Sequence, residues 1–230
     1  MTMNQVDYSS NPNQRTPCVL VLDASHSMEA VGDSGRTKIS ALNSGLKALE
    51  KHLREDDTAI TRVQLAIVSV GGPNNTAEIL MDWTDAVNFS AFELQSGGVT
   101  PLGKGIQIAL DLIEECKDDL RQAGVSYTRP WMMVITDGMP TDDTKFWNQV
   151  ADECQLAEED RKVEIFAIGV ENANTTILDQ ISSKPSLMLD GIKFNELFIW
   201  LSASLGAASQ SRPGEELQLP STDPWRNVKV

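Results

Sequence analysis

Residues 18–23, CVLVLD, and residues 131–137, WMMVITD, decide the fold, because each is an unbroken apolar run of strand length that closes on an aspartate. Runs that are apolar at nearly every position, rather than at alternate ones, belong to strands buried on both faces of a largely parallel sheet. RVQLAIVSV at 62–70 and VEIFAIGV at 163–170 have the same character, while AEILMDW at 77–83 is weaker and suits an edge. Between these runs apolar residues recur at helical spacing: Ile39, Leu42, Leu46, Leu49 and Leu53, then Ile106, Leu110 and Ile113. Further helices are predicted near Lys145–Arg161 and Asn195–Leu205, the last with Phe198 and Leu201 inward. Strands alternating with helices imply a three-layer, doubly wound α/β domain over residues 17–207, its sheet mostly parallel with one antiparallel edge strand. Residues 1–16 read as a flexible arm. Residues 208–230 read as a loop-like tail whose one buried candidate is Trp225.

Composition narrows the function classes. The chain has 230 residues, of which 41% are hydrophobic and 23% charged, and a formal net charge of -14. Such an acidic balance argues against nonspecific binding to nucleic acid or to an anionic membrane surface. Three cysteines, Cys18, Cys116 and Cys154, show no C-x-x-C spacing, and His26 and His52 are the only histidines. A disulfide framework and zinc catalysis of the H-E-x-x-H kind are both disfavoured. The polar start lacks an apolar signal segment, and the apolar run LFIWLSASLGAA at 197–208 is too short to span a bilayer. A cytoplasmic protein is the expectation.

In a doubly wound sheet, ligands bind beyond the carboxyl ends of the strands, where strand order reverses. Asp23 ends the first strand and is followed by Ser25 and Ser27; Asp137 ends the WMMVIT strand and is followed by Gly138. A third loop, SGGVTPLGKG at 96–105, adds the hydroxyls of Ser96 and Thr100. Two carboxylates with several hydroxyls make an all-oxygen cluster suited to a hard divalent cation, magnesium first and manganese or calcium as alternatives.

D-A-S-H-S at 23–27, Thr100 in its glycine-rich loop and T-D-G at 136–138 resemble the metal-ion-dependent adhesion site of von Willebrand factor A domains, which are Rossmann-like. The resemblance implies that Ser25 and Ser27 bind the metal directly, and that Asp23, Thr100 and Asp137 bind it directly or through water. It further implies an open coordination position for an Asp or Glu of a partner protein. VLVLDASHSM, the T-P-L-G after the glycines and F-N-E-L-F-I-W-L-S-A-S-L are closer still to bacterial stand-alone A domains of the tellurite-resistance TerY type. That likeness implies a bacterial cytosolic signalling protein whose partners include a Ser/Thr kinase or a PP2C-type phosphatase. Two positions depart from the common pattern: His26 stands where Gly is usual, and Val99 separates the glycine pair from Thr100, leaving Ser96 as the alternative hydroxyl.

Other readings carry less. G-V-T-P-L-G-K at 98–104 nearly spells a P-loop, but Gly105 stands where a magnesium-binding hydroxyl is needed, so Lys104 reads as a solvated helix residue. A phosphohydrolase would need an acid two residues after Asp23, and Ser25 stands there, so no catalytic function is expected. A metal-free scaffold is the remaining alternative. The acidic run Glu158, Glu159 and Asp160 reads as a solvated helix face, and Trp147 as a packing residue close enough to line the crevice rim.

Overall fold

A computed structural model describes residues 11–32, 35–211 and 218–226. Six strands form one sheet: β1 (Thr16–Ala24), β2 (Val63–Gly71), β3 (Thr76–Asp85), β4 (Trp131–Thr136), β5 (Glu164–Val170) and β6 (Leu187–Leu189). Their order across the sheet is β3-β2-β1-β4-β5-β6. All neighbours pair in parallel except β2 with β3, which pair antiparallel. The weak strand around AEILMDW is therefore the antiparallel edge, and its mixed burial contrasts with the completely buried β1 and β2.

The helices are α1 (Lys38–Glu55), α2 (Ala59–Arg62), α3 (Leu102–Gln122), α4 (Thr144–Glu159), α5 (Thr175–Leu178) and α6 (Phe194–Gln210), with a 3-10 turn at His26–Glu29. Side chains of a strand alternate between faces, and β1 shows what this does here. Cys18, Leu20 and Leu22 enter a core with α1 and α6, while Val19 and Val21 enter a second core with α3 and α4. Ile39, Leu42, Leu46, Leu49 and Leu53 all face the first core, as their spacing predicts. Each such buried side chain contributes about 1.5–3 kcal/mol relative to exposure.

The structure moves both domain boundaries. Arg15 and Thr16, assigned to the arm, are fully buried: the Arg15 N–H donates to Ser126 O at 2.8 Å and its guanidinium reaches Thr61 O and Asp85. Residues 1–10 of that arm lie outside the described residues. Helix α6 runs on to Gln210, and the segment 218–226 is part of the domain. There Trp225 is fully buried against Trp200 (ring centroids 5.3 Å apart) and Leu189 bridges to Arg226, so a segment assigned to the tail closes over the β6 edge. Residues 212–217 and 227–230 lie outside the described residues.

Candidate functional site

The order of strands reverses between β1 and β4, and the loops leaving those two strands meet there. Asp23 is fully buried near the end of β1. Its Oδ1 accepts the Ser25 N–H at 2.8 Å, and its Oδ2 accepts the Thr136 hydroxyl at 2.5 Å. The Thr136 oxygen in turn accepts the Gly138 N–H at 3.0 Å, which fixes the turn after β4. Ser25 Oγ and Ser27 Oγ lie 2.9 Å apart, and Ser27 Oγ donates to Asp137 Oδ1 at 2.5 Å. One hydrogen-bonded chain thus joins residues 110 positions apart in sequence.

The glycine-rich loop is tied to both. The His26 N–H donates to Gly98 O at 3.1 Å, the Gly97 N–H to Ala24 O at 2.9 Å, and the Thr141 N–H to Thr100 O at 2.9 Å. Thr100 is buried, and its Oγ1 comes so near Gly138 that a Cβ there would stand 3.0 Å from it and 3.4 Å from Asp23 Oδ2. Asp142 adds a clamp, accepting the Gly103 N–H at 2.8 Å and the Lys104 N–H at 3.1 Å, so a carboxylate from the Asp137 loop caps α3. The structure therefore brings together all five predicted residues: Asp23, Ser25, Ser27, Thr100 and Asp137. Ser96 instead faces Glu29, with its Oγ 3.3 Å from Glu29 Oε1. Trp147 is buried, its Nε1 donating to Gln180, and does not line the rim.

Two residues absent from the sequence reading stand beside the five. Lys38 Nζ lies 2.6 Å from Asp137 Oδ2 and 2.9 Å from Glu171 Oε2, with only 7% of its side chain exposed. Burial pushes the Lys38 ammonium down, but its bonds to Asp137 and Glu171 outweigh that and hold it above its ordinary value. Asp23 is also raised, which for an acid disfavours the charged form: desolvation raises it, aided by the nearby Asp137 charge, against the hydrogen bonds from Ser25 and Thr136. Lys38 and Glu171 each had a weak sequence signal. A lysine in the first turn of α1 opposes the helix dipole, and Glu171 follows β5, the neighbour of β4, at the same sheet end as Asp137.

No cluster of three or more His, Cys, Asp or Glu side chains suited to a metal occurs among the described residues. A cation at this site would thus rest on two carboxylates and on hydroxyls, an all-oxygen set with which the chemistry of a hard dication agrees. Asp137 keeps Oδ1 toward Ser27 while Oδ2 is engaged by Lys38. Around the site, His26 is well exposed and Val99 and Met139 are about half exposed, so apolar and polar surface flank the oxygen cluster.

A sequence profile described as von Willebrand factor type A domain matches residues 18–197. No curated protein sequence matches the chain. Among solved structures, the SpRpn10 VWA domain is similar at 16% identity and a TM-score of 0.51, covering 76% of this chain and 86% of that one. The pilus adhesin SpaC from Lactobacillus rhamnosus GG, in its open conformation, is similar at 14% identity and a TM-score of 0.64 over 86% of this chain; the match spans 31% of the adhesin. The PilB minor pilin from Streptococcus sanguinis is similar at 11% identity and a TM-score of 0.57, covering 84% of this chain and 62% of the pilin. At these identities the likeness is one of fold.

Proposed function

The chain belongs to the von Willebrand factor type A domain family, and on that premise we propose that it is a metal-dependent protein-interaction module. The observation that carries this reading is the convergence of Asp23, Ser25, Ser27, Thr100 and Asp137 from three loops onto one cluster, the first three and Asp137 linked by hydrogen bonds and Thr100 Oγ1 set against Gly138. Magnesium, or manganese or calcium in its place, is held by these five groups in a metal-ion-dependent adhesion site. The dication supplies Lewis acidity toward one carboxylate of a partner protein. Serine and threonine hydroxyls donate no net charge, which leaves the cation attractive to that carboxylate. His26, Val99 and Met139 form the rim on which the partner packs.

The burial of Asp23 and the engagement of both its oxygens support a binding role over a phosphohydrolase, whose nucleophile must reach phosphorus. Turnover of a generic phosphoester that disappears in Asp137→Asn would overturn this. One specific observation favours a second reading, a metal-free scaffold: Lys38 already sets a cation on Asp137. No helix among the described residues is long and apolar enough to cross a membrane. The buried thiols of Cys18, Cys116 and Cys154 suit a reducing compartment. With the TerY-like motifs, these features support a cytoplasmic protein of a bacterial stress or tellurite-resistance signalling assembly that includes a kinase or PP2C-type phosphatase.

Calorimetric titration with magnesium is the test. Wild type binds one ion per chain, and Asp23→Ala and Ser25→Ala lose that heat; equal binding by both variants moves the site elsewhere. Capture from native lysate, with magnesium against EDTA, then reports whether the partner needs the metal.

A further inference from the structure

We infer that Lys38 is a built-in counter-cation of this site, which holds Asp137 in place without metal and, by competing for it, sets how tightly metal binds. The inference rests on the metal-site reading above and adds a determinant of its affinity. It starts from geometry: a lysine with a 7% exposed side chain stands 2.6 Å from one oxygen of Asp137 and 2.9 Å from Glu171, while the other Asp137 oxygen accepts the Ser27 hydroxyl at 2.5 Å. Asp137 is thus shared between an ammonium and the hydroxyl chain. Gly32 lies close by, where a Cβ would stand 3.1 Å from Glu171 Oε1, so the loop before α1 leaves room for that carboxylate only because it carries a glycine there.

The charges decide the direction of the effect. Asp23, Asp137 and Glu171 against Lys38 leave a formal charge of -2, which one dication cancels. Without Lys38 the two buried carboxylates would face one another unscreened in the absence of metal, a repulsion that raises the cost of the metal-free fold. With it, the metal-free site is already organised, and an arriving dication meets a like charge beside one of its ligands. Glu171 offsets that like charge and gives the ammonium a second anchor.

Two substitutions separate this role from plain packing, because they drive affinity in opposite directions. Lys38→Met keeps the length and burial of the side chain but takes the formal charge to -3, so magnesium should bind about tenfold tighter or more. Its metal-free melting point should fall below that of wild type, and the rise on adding magnesium should widen. Glu171→Gln takes the charge to -1, so magnesium should bind about tenfold weaker. A merely structural defect weakens binding in both.

Magnesium calorimetry and melts in EDTA on the full chain, for wild type and both variants with Asp23→Ala as the blank, decide the matter. Tighter binding by Lys38→Met, whether or not wild type binds, supports the inference; if wild type alone is silent, the metal-dependent function falls while the inference stands. Equal or weaker binding by Lys38→Met overturns the inference and leaves the metal site intact. Silence in wild type and Lys38→Met overturns both. If Lys38→Met does not fold, Lys38→Gln takes its place: tighter magnesium binding than wild type supports the inference, and equal or weaker binding overturns it.

Discussion

Thr136 does two things with one oxygen. It donates to the buried Asp23 carboxylate at 2.5 Å and accepts the Gly138 N–H at 3.0 Å, so it couples the end of β1 to the turn after β4. Replacing it by the near-isosteric valine leaves a buried carboxylate short of one donor and a backbone N–H short of its acceptor. Buried groups stranded in this way cost about 1–3 kcal/mol. Urea denaturation of Thr136→Val should show a loss in that range, and calorimetry a several-fold weaker magnesium response, because the turn carrying Asp137 has lost its anchor. Unchanged stability would show that water replaces the hydroxyl. Residues such as Asp23, Ser25 and Ser27 were legible because their spacing along one loop sets them side by side. Lys38 and Glu171 carried only weak signals and Asp142 none, since each reaches the site from a segment whose position only the folded sheet defines.

At the scale of elements, α4 shows how a charge run misleads. Glu158, Glu159 and Asp160 are alike in sequence, yet Glu158 is buried and its carboxylate accepts the Ile165 N–H at 2.9 Å, the Ser183 N–H at 2.6 Å and the Ser182 hydroxyl at 3.0 Å. It pins the end of α4 to the start of β5 and to the loop before β6; only its neighbours make a solvated face. The three-residue β6 was missed for a similar reason, as LML is too short for a periodicity to register. The long strands and helices were legible because their burial is dictated along the element itself. Burial pushes Glu158 up, but the Ser183 and Ile165 N–H donors and the Lys184 ammonium outweigh it, leaving the carboxyl below its ordinary value. A depressed acid stabilises the fold above its unfolded pKa of about 4.3 and loses that contribution as pH falls through the lower folded value. Wild type should therefore exceed Glu158→Gln in stability by about 1–3 kcal/mol at neutral pH. In melts taken at successive pH values, the gap should close below about pH 4; a gap independent of pH would assign the effect to packing alone.

Across the whole molecule, the site and a chain of packed aromatic rings draw on β4 at different ends. Asp23 and Asp137 stand at the carboxyl ends of β1 and β4, whereas an aromatic chain runs from Trp131, the first residue of β4, through Phe166 and Trp200 to Trp225. Successive ring centroids in that chain are 4.9, 5.9 and 5.3 Å apart. Six residues of β4 separate its two ends, roughly 16 Å at the rise of a strand. Trp225 is held by more than its ring: the Asp190 N–H donates to its carbonyl at 2.7 Å, and the Trp200 indole donates to Pro220 O at 2.9 Å, so the segment 218–226 is strapped along β6 and α6. Trp225 was readable as the segment's one buried candidate, but the loop-like composition concealed the strap itself, because its backbone bonds to β6 have no periodicity to reveal them. Removing a fully buried Trp costs about 3–5 kcal/mol in transfer and cavity terms, and Trp225 packs on Trp200 and holds the Asp190 N–H rather than any of the five site residues. Trp225→Ala should therefore lower the urea midpoint strongly while the protein that remains folded binds magnesium as wild type does. If magnesium affinity falls together with stability in that variant, the closing segment reaches the site through β6 and the β5 end that carries Glu171, and the aromatic chain and the site are not independent.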